Sequence, residues 1–357
     1  MPKSHLLGLG GFLIGLGIGW YVFTTYQVSL QIVAWILIVA GSLIVATELI
    51  AWRIPHFSGR RLVPAIMGGL ILSLFLTNGY GLLQNLTQTG TYWPYTANTT
   101  KSYPGSVTTN LLYLEVRNIN GPVTLSTWNR PEYSINLTIK AGGFSQNDAN
   151  NSLSSLNPSL SENIVNTEER LVLQYGIQIS SYSRYSISVT IHIPSNATSS
   201  LKIDSSNGHI SLANLEASTL MLETSNAPII FSNVATTTIE ASTSNARIEG
   251  TIQANVATFS TSNAPIALTI ISQTSGEYTL QTSNAAINLK VSTSPQIGYS
   301  LNLSTSNSNI NINLQNLDYT LNQNNAKKAQ TVGFNTLPIQ TTIIGITSNA
   351  AITVNSS

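Results

Sequence analysis

One six-residue stretch recurs down the C-terminal half of this chain: Thr224-Ser225-Asn226-Ala227-Pro228-Ile229. Close variants surround Asn207, Asn245, Asn263, Asn284, Asn307 and Asn349. The Asn-to-Asn steps are 19, 19, 18, 21, 23 and 42 residues, the last being two periods. A period near 20 residues marks a repeat architecture, in which units too small to bury a core alone do so by stacking.

The repeat extends beyond the corner. Apolar residues sit six and four positions before each Asn, as in Leu201/Ile203, Leu220/Leu222 and Tyr278/Leu280. Three residues after the Asn come Ile210, Ile229, Ile248, Ile266, Ile287, Ile310 and Ile352. Spacing by twos on both sides predicts two strands with one buried face each. The Ser-Asn-Ala triplet between them reads as a bend, since Asn tolerates left-handed backbone and bonds its own chain locally. Each unit is therefore expected to be strand, Asn corner, strand and a looser return. Stacking would align the corner amides, so Asn120, Asn207, Asn226, Asn245, Asn263, Asn284, Asn307 and Asn349 are read as a structural Asn ladder. Asn120 joins the set because Leu112–Leu125 fits the same template.

The N-terminal third is different. Three apolar runs, at about 6–23, 32–52 and 62–83, are each long enough to cross a bilayer as a helix. Arg53, Arg60 and Arg61 between the second and third runs, with Lys3 ahead of the first, place the N-terminus inside and everything after Leu83 outside. Gly11, Gly15 and Gly19 give the first run a small-residue face, suited either to a neighbouring helix of the unit or to self-association between chains. Glu48, one turn from Arg53, is read as reaching toward that arginine. The expected layout is a membrane region over 1–86, a juxtamembrane linker over 87–105 and an all-β β-solenoid over 106–357, the C-terminal domain being extracellular. The polar stretch from Gly142 to Asn166 and the segment Asn316–Gln330 are read as insertions.

Charged residues make up 8% of the chain and the net charge is +1. An ordinary soluble domain carries roughly 25%. With no basic stripe, nucleic acid is not expected as a partner. There is no cysteine, which excludes disulfides, thiolate metal sites and cysteine nucleophiles. Sequons at Asn85, Asn98, Asn136, Asn150, Asn196, Asn302 and Asn355 are candidate N-glycosylation sites, all after the third run.

Catalytic constellations are missing. A glycosidase needs acids converging in one groove, whereas the carboxylates here are scattered. Glu168 and Glu169 are adjacent and so face opposite ways on a strand. Glu223 and Glu240 fall at related outward positions on successive repeats and form the only acidic pair worth testing. His192 and His209 share no metal-ligand spacing with each other or with a carboxylate group. Only Asp204 and Asp318 occur within the repeats, too few for calcium-binding rolls. No catalytic residue, metal site or cofactor is expected.

The segment Val189–Leu212 carries a strand ending in Pro194, a short loop, Leu201 and Ile203, and then Asn207-Gly208 and Ile210. It resembles the putative-adhesin β-solenoid domain family of membrane-anchored prokaryotic surface proteins. This chain departs from the family by using Asn-Ala where Asn-Gly is common and by its scarcity of charge. The resemblance implies a non-catalytic structural or adhesive ectodomain. Its expected partners are the lipid bilayer and an envelope glycan or surface protein. An envelope-sensing regulatory protein acting through a membrane partner is the alternative.

Overall fold

A computed structural model describes residues 3–25, 30–53, 62–73, 93–118, 120–176 and 184–357. The chain divides into two compact units, Met1–Tyr92 and Trp93–Ser357.

The first unit contains helices α1 (Lys3–Thr25), α2 (Leu30–Arg53) and α3 (62–73). The glycine face of α1 is covered by α3. A Cβ on Gly15 would lie 2.0 Å from the Ile66 carbonyl oxygen, and one on Gly19 would lie 1.9 Å from Ser73 Oγ. A Cβ on Gly69 of α3 would likewise lie 2.2 Å from the Phe12 carbonyl oxygen, so small residues on both helices let the backbones approach closely. Gly11, Gly15 and Gly19 are buried in this contact.

The three-span expectation is corrected here. Among the described residues, no helix is long and apolar enough to cross a membrane. The multi-pass localisation and the inside–outside assignment built on the spans fall with them. Residues 54–61, which with Arg53 carried the charge argument, lie outside the described residues.

The second unit is β-rich and forms one sheet of twenty strands. Its strands follow two hydrogen-bonded rows that share three members. The first row runs β5 (Ser159–Val165), β6 (Glu168–Gln174), β2 (Leu111–Asn118), β8 (Thr198–Ser205), β9 (Ile210–Thr224), β10 (Ile229–Thr243), β11 (Ile248–Thr261), β13 (Gly276–Thr282), β19 (Ile339–Thr347), β15 (Ile297–Thr305), β18 (Ala326–Thr331) and β17 (Leu317–Asn322). The second runs β1 (Tyr95–Ser106), β4 (Glu132–Gly143), β7 (Tyr185–Pro194), β3 (Val123–Trp128), β9, β10, β11, β12 (Ile266–Ile270), β14 (Ile287–Val291), β20 (Ile352–Ser356) and β16 (Ile310–Asn313).

This arrangement corrects the expected uniform β-solenoid over 106–357. The sheet is a single unclosed one with mixed strand directions. Central strands pair in parallel, while β1, β4 and β5 at one end and β17 and β18 at the other pair antiparallel. No loose return separates the repeats at β9 and β10. Each is one continuous 15-residue strand from one Asn corner to the next, turned at Asn214 (φ 48°) and Asn233 (φ 57°) in left-handed backbone. Against β11, the β10 strand carries one extra residue between Phe231 and Val234, a β-bulge. That single residue accounts for the change of step from 19 to 18.

The core follows the repeat. Ile210, Ile229, Ile248, Ile266, Ile287, Ile352 and Ile310 stack in register and are each at most 2% exposed. Full burial of each contributes roughly 1.5–3 kcal/mol. Gly250 stands where Phe231 and Leu268 flank it in the neighbouring repeats. Its φ is +128°, and a Cβ there would meet the Phe231 carbonyl oxygen at 1.9 Å, so only glycine fits.

Segments read as irregular carry structure. Tyr95–Ser106, in the stretch read as a linker, is β1 and pairs over its full length with β4. The polar stretch after Gly142 contains α4 (Gln146–Leu156) and β5; Ser145 caps the helix by accepting from Asp148 N–H. The second insertion is the β17–β18 hairpin.

Candidate functional site

Each repeat corner is built the same way. The carbonyl oxygen of Ser206 accepts from the backbone N–H groups of both Ser225 and Asn226. Ser225, Ser244, Ser262, Ser283 and Ser348 do the same for the next corner in the stack. Two residues before five of the corner Asn, a buried Thr turns its hydroxyl inward: Thr243, Thr261, Thr282, Thr347 and Thr305 donate to the carbonyls of Ala227, Ala246, Ala264, Ala285 and Ala350. An apolar residue there would leave those carbonyls short of a donor, which is a cost on the order of 1–3 kcal/mol per buried group. In the first repeat the position belongs to Asn118, whose Nδ2 donates to the carbonyls of Gly121 and Ile187.

The corner amides form one column. Nδ2 of Asn207, Asn226, Asn245, Asn263, Asn284, Asn349 and Asn307 donates in turn to Oδ1 of Asn120, Asn207, Asn226, Asn245, Asn263, Asn284 and Asn349, at 2.7–2.8 Å. Sequence order is not kept, because Asn349 lies between Asn284 and Asn307. Shorter amide columns that the sequence reading missed pair Asn233 with Asn214 at 3.3 Å and Asn313 with Asn355 at 2.7 Å. Their signal was present: Asn214 and Asn233 each follow a corner Asn by seven residues.

Outside this column lies a file of exposed serines, Ser206, Ser225, Ser244, Ser262, Ser283, Ser348 and Ser306. Strand spacing sets neighbouring hydroxyls roughly 4.8 Å apart. Glu223, Ser242, Ser260 and Gln281 line a shallow groove of about 310 Å³ beside the file. An Asn amide spends one hydrogen on the column and turns the second toward solvent. The face therefore offers hydroxyl and amide donors and acceptors at a fixed repeat, with almost no charge.

The other candidate residues are dispersed. Glu223 pairs across from Ser242, and Glu240 lies across from Met221 and Thr258, so the two carboxylates are diagonal rather than opposed. His192 stacks on Trp128 with ring centroids 5.0 Å apart, and its Nδ1 lies 2.9 Å from Ser126 Oγ. Arg130 covers the same Trp128 ring at 5.0 Å. His209 stands in a corner, where its carbonyl accepts from Val123 N–H. Glu169 is 1% exposed, and one of its oxygens accepts from the N–H and hydroxyl of Thr108. Among the described residues, no group of three His, Cys, Asp or Glu side chains could hold a metal ion. Asn98, Asn136, Asn150, Asn196 and Asn302 are exposed and Asn355 is half-buried; Asn85 lies outside the described residues.

No protein-family model and no curated protein matches the chain. Among solved structures, it is similar to a putative cell adhesion protein of Clostridium sporogenes (8% identity, 73% of this chain and 100% of that one, TM-score 0.34). It is also similar to a putative adhesin of Bacteroides fragilis (12% identity, 74% and 99%, TM-score 0.32) and one of Parabacteroides distasonis (12% identity, 72% and 97%, TM-score 0.30). At these values the likeness carries no argument about function, which must rest on the site itself.

Proposed function

We propose that this chain is a non-catalytic, adhesin-type binding protein whose file of serines and corner asparagines contacts a repetitive neutral partner, an envelope glycan or a surface protein. The observation that supports the reading is the column of eight corner amides, with an exposed serine beside seven of them. A fixed array of weak polar contacts gains affinity by engaging many equivalent groups of one polymer at once. Uncharged hydroxyl and amide groups suit a polyhydroxylated or peptide partner better than a polyanion.

The test is co-sedimentation of the full chain with insoluble cellulose, chitin and peptidoglycan, with reducing ends assayed in the supernatant. Retention on a polymer that the triple variant Ser225→Lys/Ser244→Lys/Ser262→Lys loses, with no reducing ends released, is the expected result. Release of reducing ends that Glu223→Gln/Glu240→Gln abolishes would replace this reading with an enzymatic one.

A further inference from the structure

We propose that copies of this chain associate end to end, the free edge of β5 in one copy adding antiparallel to the free edge of β17 in the next. The first row of the sheet begins at β5 and finishes at β17. Among the described residues, each of these strands has a partner on one side only. An unpaired edge is a template for another strand, and proteins blunt edges they do not use with Pro, Lys or short length. The second row is blunted in this way: β1 contains Lys101 and Pro104, and β16 has four residues. β5, with sequence SLSENIV, contains neither Pro nor Lys, and it leaves Ile164 62% and Val165 43% exposed.

Polarity fits a head-to-tail contact. The strands from β6 through β15 in the first row all run in parallel. β5 opposes them at one end; at the other, β18 opposes them and β17 reverts. Two copies in the same orientation along the row therefore bring β17 and β5 together antiparallel, extending the alternation that already holds at both ends. The lengths match, at six and seven residues.

Side chains match as well. Leu160 of β5 and Leu317 of β17 both pack against the core. Alternation puts Glu162 and Ile164 on the face of Leu160, and Tyr319 on that of Leu317. Antiparallel pairing then sets Glu162 against Tyr319 and Ile164 against Leu317, ahead of the β-bulge that interrupts β17 between Tyr319 and Leu321. The exposed Ile164 and Tyr319 (40% exposed) leave water, and the Tyr319 hydroxyl meets the Glu162 carboxylate that already accepts from Tyr133. The end hairpins carry opposite charge: Glu162, Glu168 and Glu169 against Arg170 on β5–β6, Lys327 and Lys328 against Asp318 on β17–β18. A symmetric β5–β5 pair would instead set Glu162 against Glu162, which is unfavourable.

Sedimentation velocity on the full chain across a concentration series tests this, with Ile164→Lys and Tyr319→Lys as edge variants. Wild type is expected to grow past dimer as concentration rises, and to shrink in high salt. Each variant alone stays monomeric, and an equal mixture of the two stops at a dimer, because each supplies the edge the other lacks. Wild type that is monomeric throughout, variants that grow like wild type, or Tyr319→Lys that still dimerises alone would each overturn the proposal. Melting curves confirm that the variants fold; Val165→Lys replaces Ile164→Lys if that variant does not.

Discussion

Asn349 donates its side-chain amide to Asn284 at 2.8 Å, across 65 residues of sequence. The last corner of the chain thus enters the stack beside the sixth, and Asn307, which precedes it in sequence, is displaced to the far side of Asn349. β19 pairs between β13 and β15, and β20 between β14 and β16. The C-terminus is a central wedge, not a cap. Such non-local pairing forms late, because its loop must close before any contact rewards it.

Removing the wedge should therefore damage more than the residues removed. A chain ending at Pro338 lacks β19 and β20, so β15 and β16 lose their partners toward the rest of the stack. Amide exchange should become fast over 297–331 while 210–261 stays protected. Retained protection over 297–331 would contradict the wedge.

Within the column, Asn245 both donates to Asn226 and accepts from Asn263. Asn245→Leu strands a donor and an acceptor and should cost on the order of 1–3 kcal/mol. Asn325 is exposed in the β17–β18 turn and supplies a backbone carbonyl to Thr305. Asn325→Leu keeps that carbonyl and should cost little. Urea midpoints compare the two, and equal shifts would remove the ladder's energetic role.

Much of the stack was legible because its signals are local. The Ile three residues after each Asn, the apolar pairs before it and the bend itself are set by side-chain alternation over a few residues. What was not legible depends on pairing between distant residues. The 42-residue step from Asn307 to Asn349 reads as two periods, and nothing in the composition says that the second corner is inserted upstream. β1 reads as a polar linker because its strand character comes from β4, about 40 residues on. α4 was recoverable, since Ser145 and Asp148 stand at capping spacing, but the surrounding Ser/Asn composition hid it. The apolar N-terminal runs suggested spans through length alone, and the chemistry of the face, uncharged and repetitive, was plain from composition.

In the first unit, contact between α1 and α3 depends on the absence of a side chain at Gly15. Gly15→Val would drive carbons into the Ile66 carbonyl, whereas Gly10→Ala meets nothing within 4 Å. Limited proteolysis of the full chain should cut within 3–73 faster in Gly15→Val and at an unchanged rate in Gly10→Ala. Equal rates would mean that the close approach contributes nothing to the packing.

Tyr278 gives the β stack an alkaline limit. Its hydroxyl, in the core, donates to the Ala254 carbonyl and accepts from the Ala254 N–H, at 2.9 and 2.8 Å. Burial pushes its pKa up to about 12, partly offset by the Ala254 bond; burial also raises that of Tyr299. An unfolded tyrosine ionises near 10. Between pH 10 and 12 the unfolded chain releases a proton that the folded chain keeps, so stability is full below pH 10 and falls as pH rises toward 12. The slope is on the order of 1 kcal/mol per pH unit for each such tyrosine. Tyr278→Phe should lower stability at pH 7 by about 1–3 kcal/mol, because both Ala254 groups lose their partner, yet flatten the decline above pH 10. Urea midpoints at pH 7, 10 and 11.5 read both effects, and an unchanged alkaline slope in the variant would show that another group sets the limit.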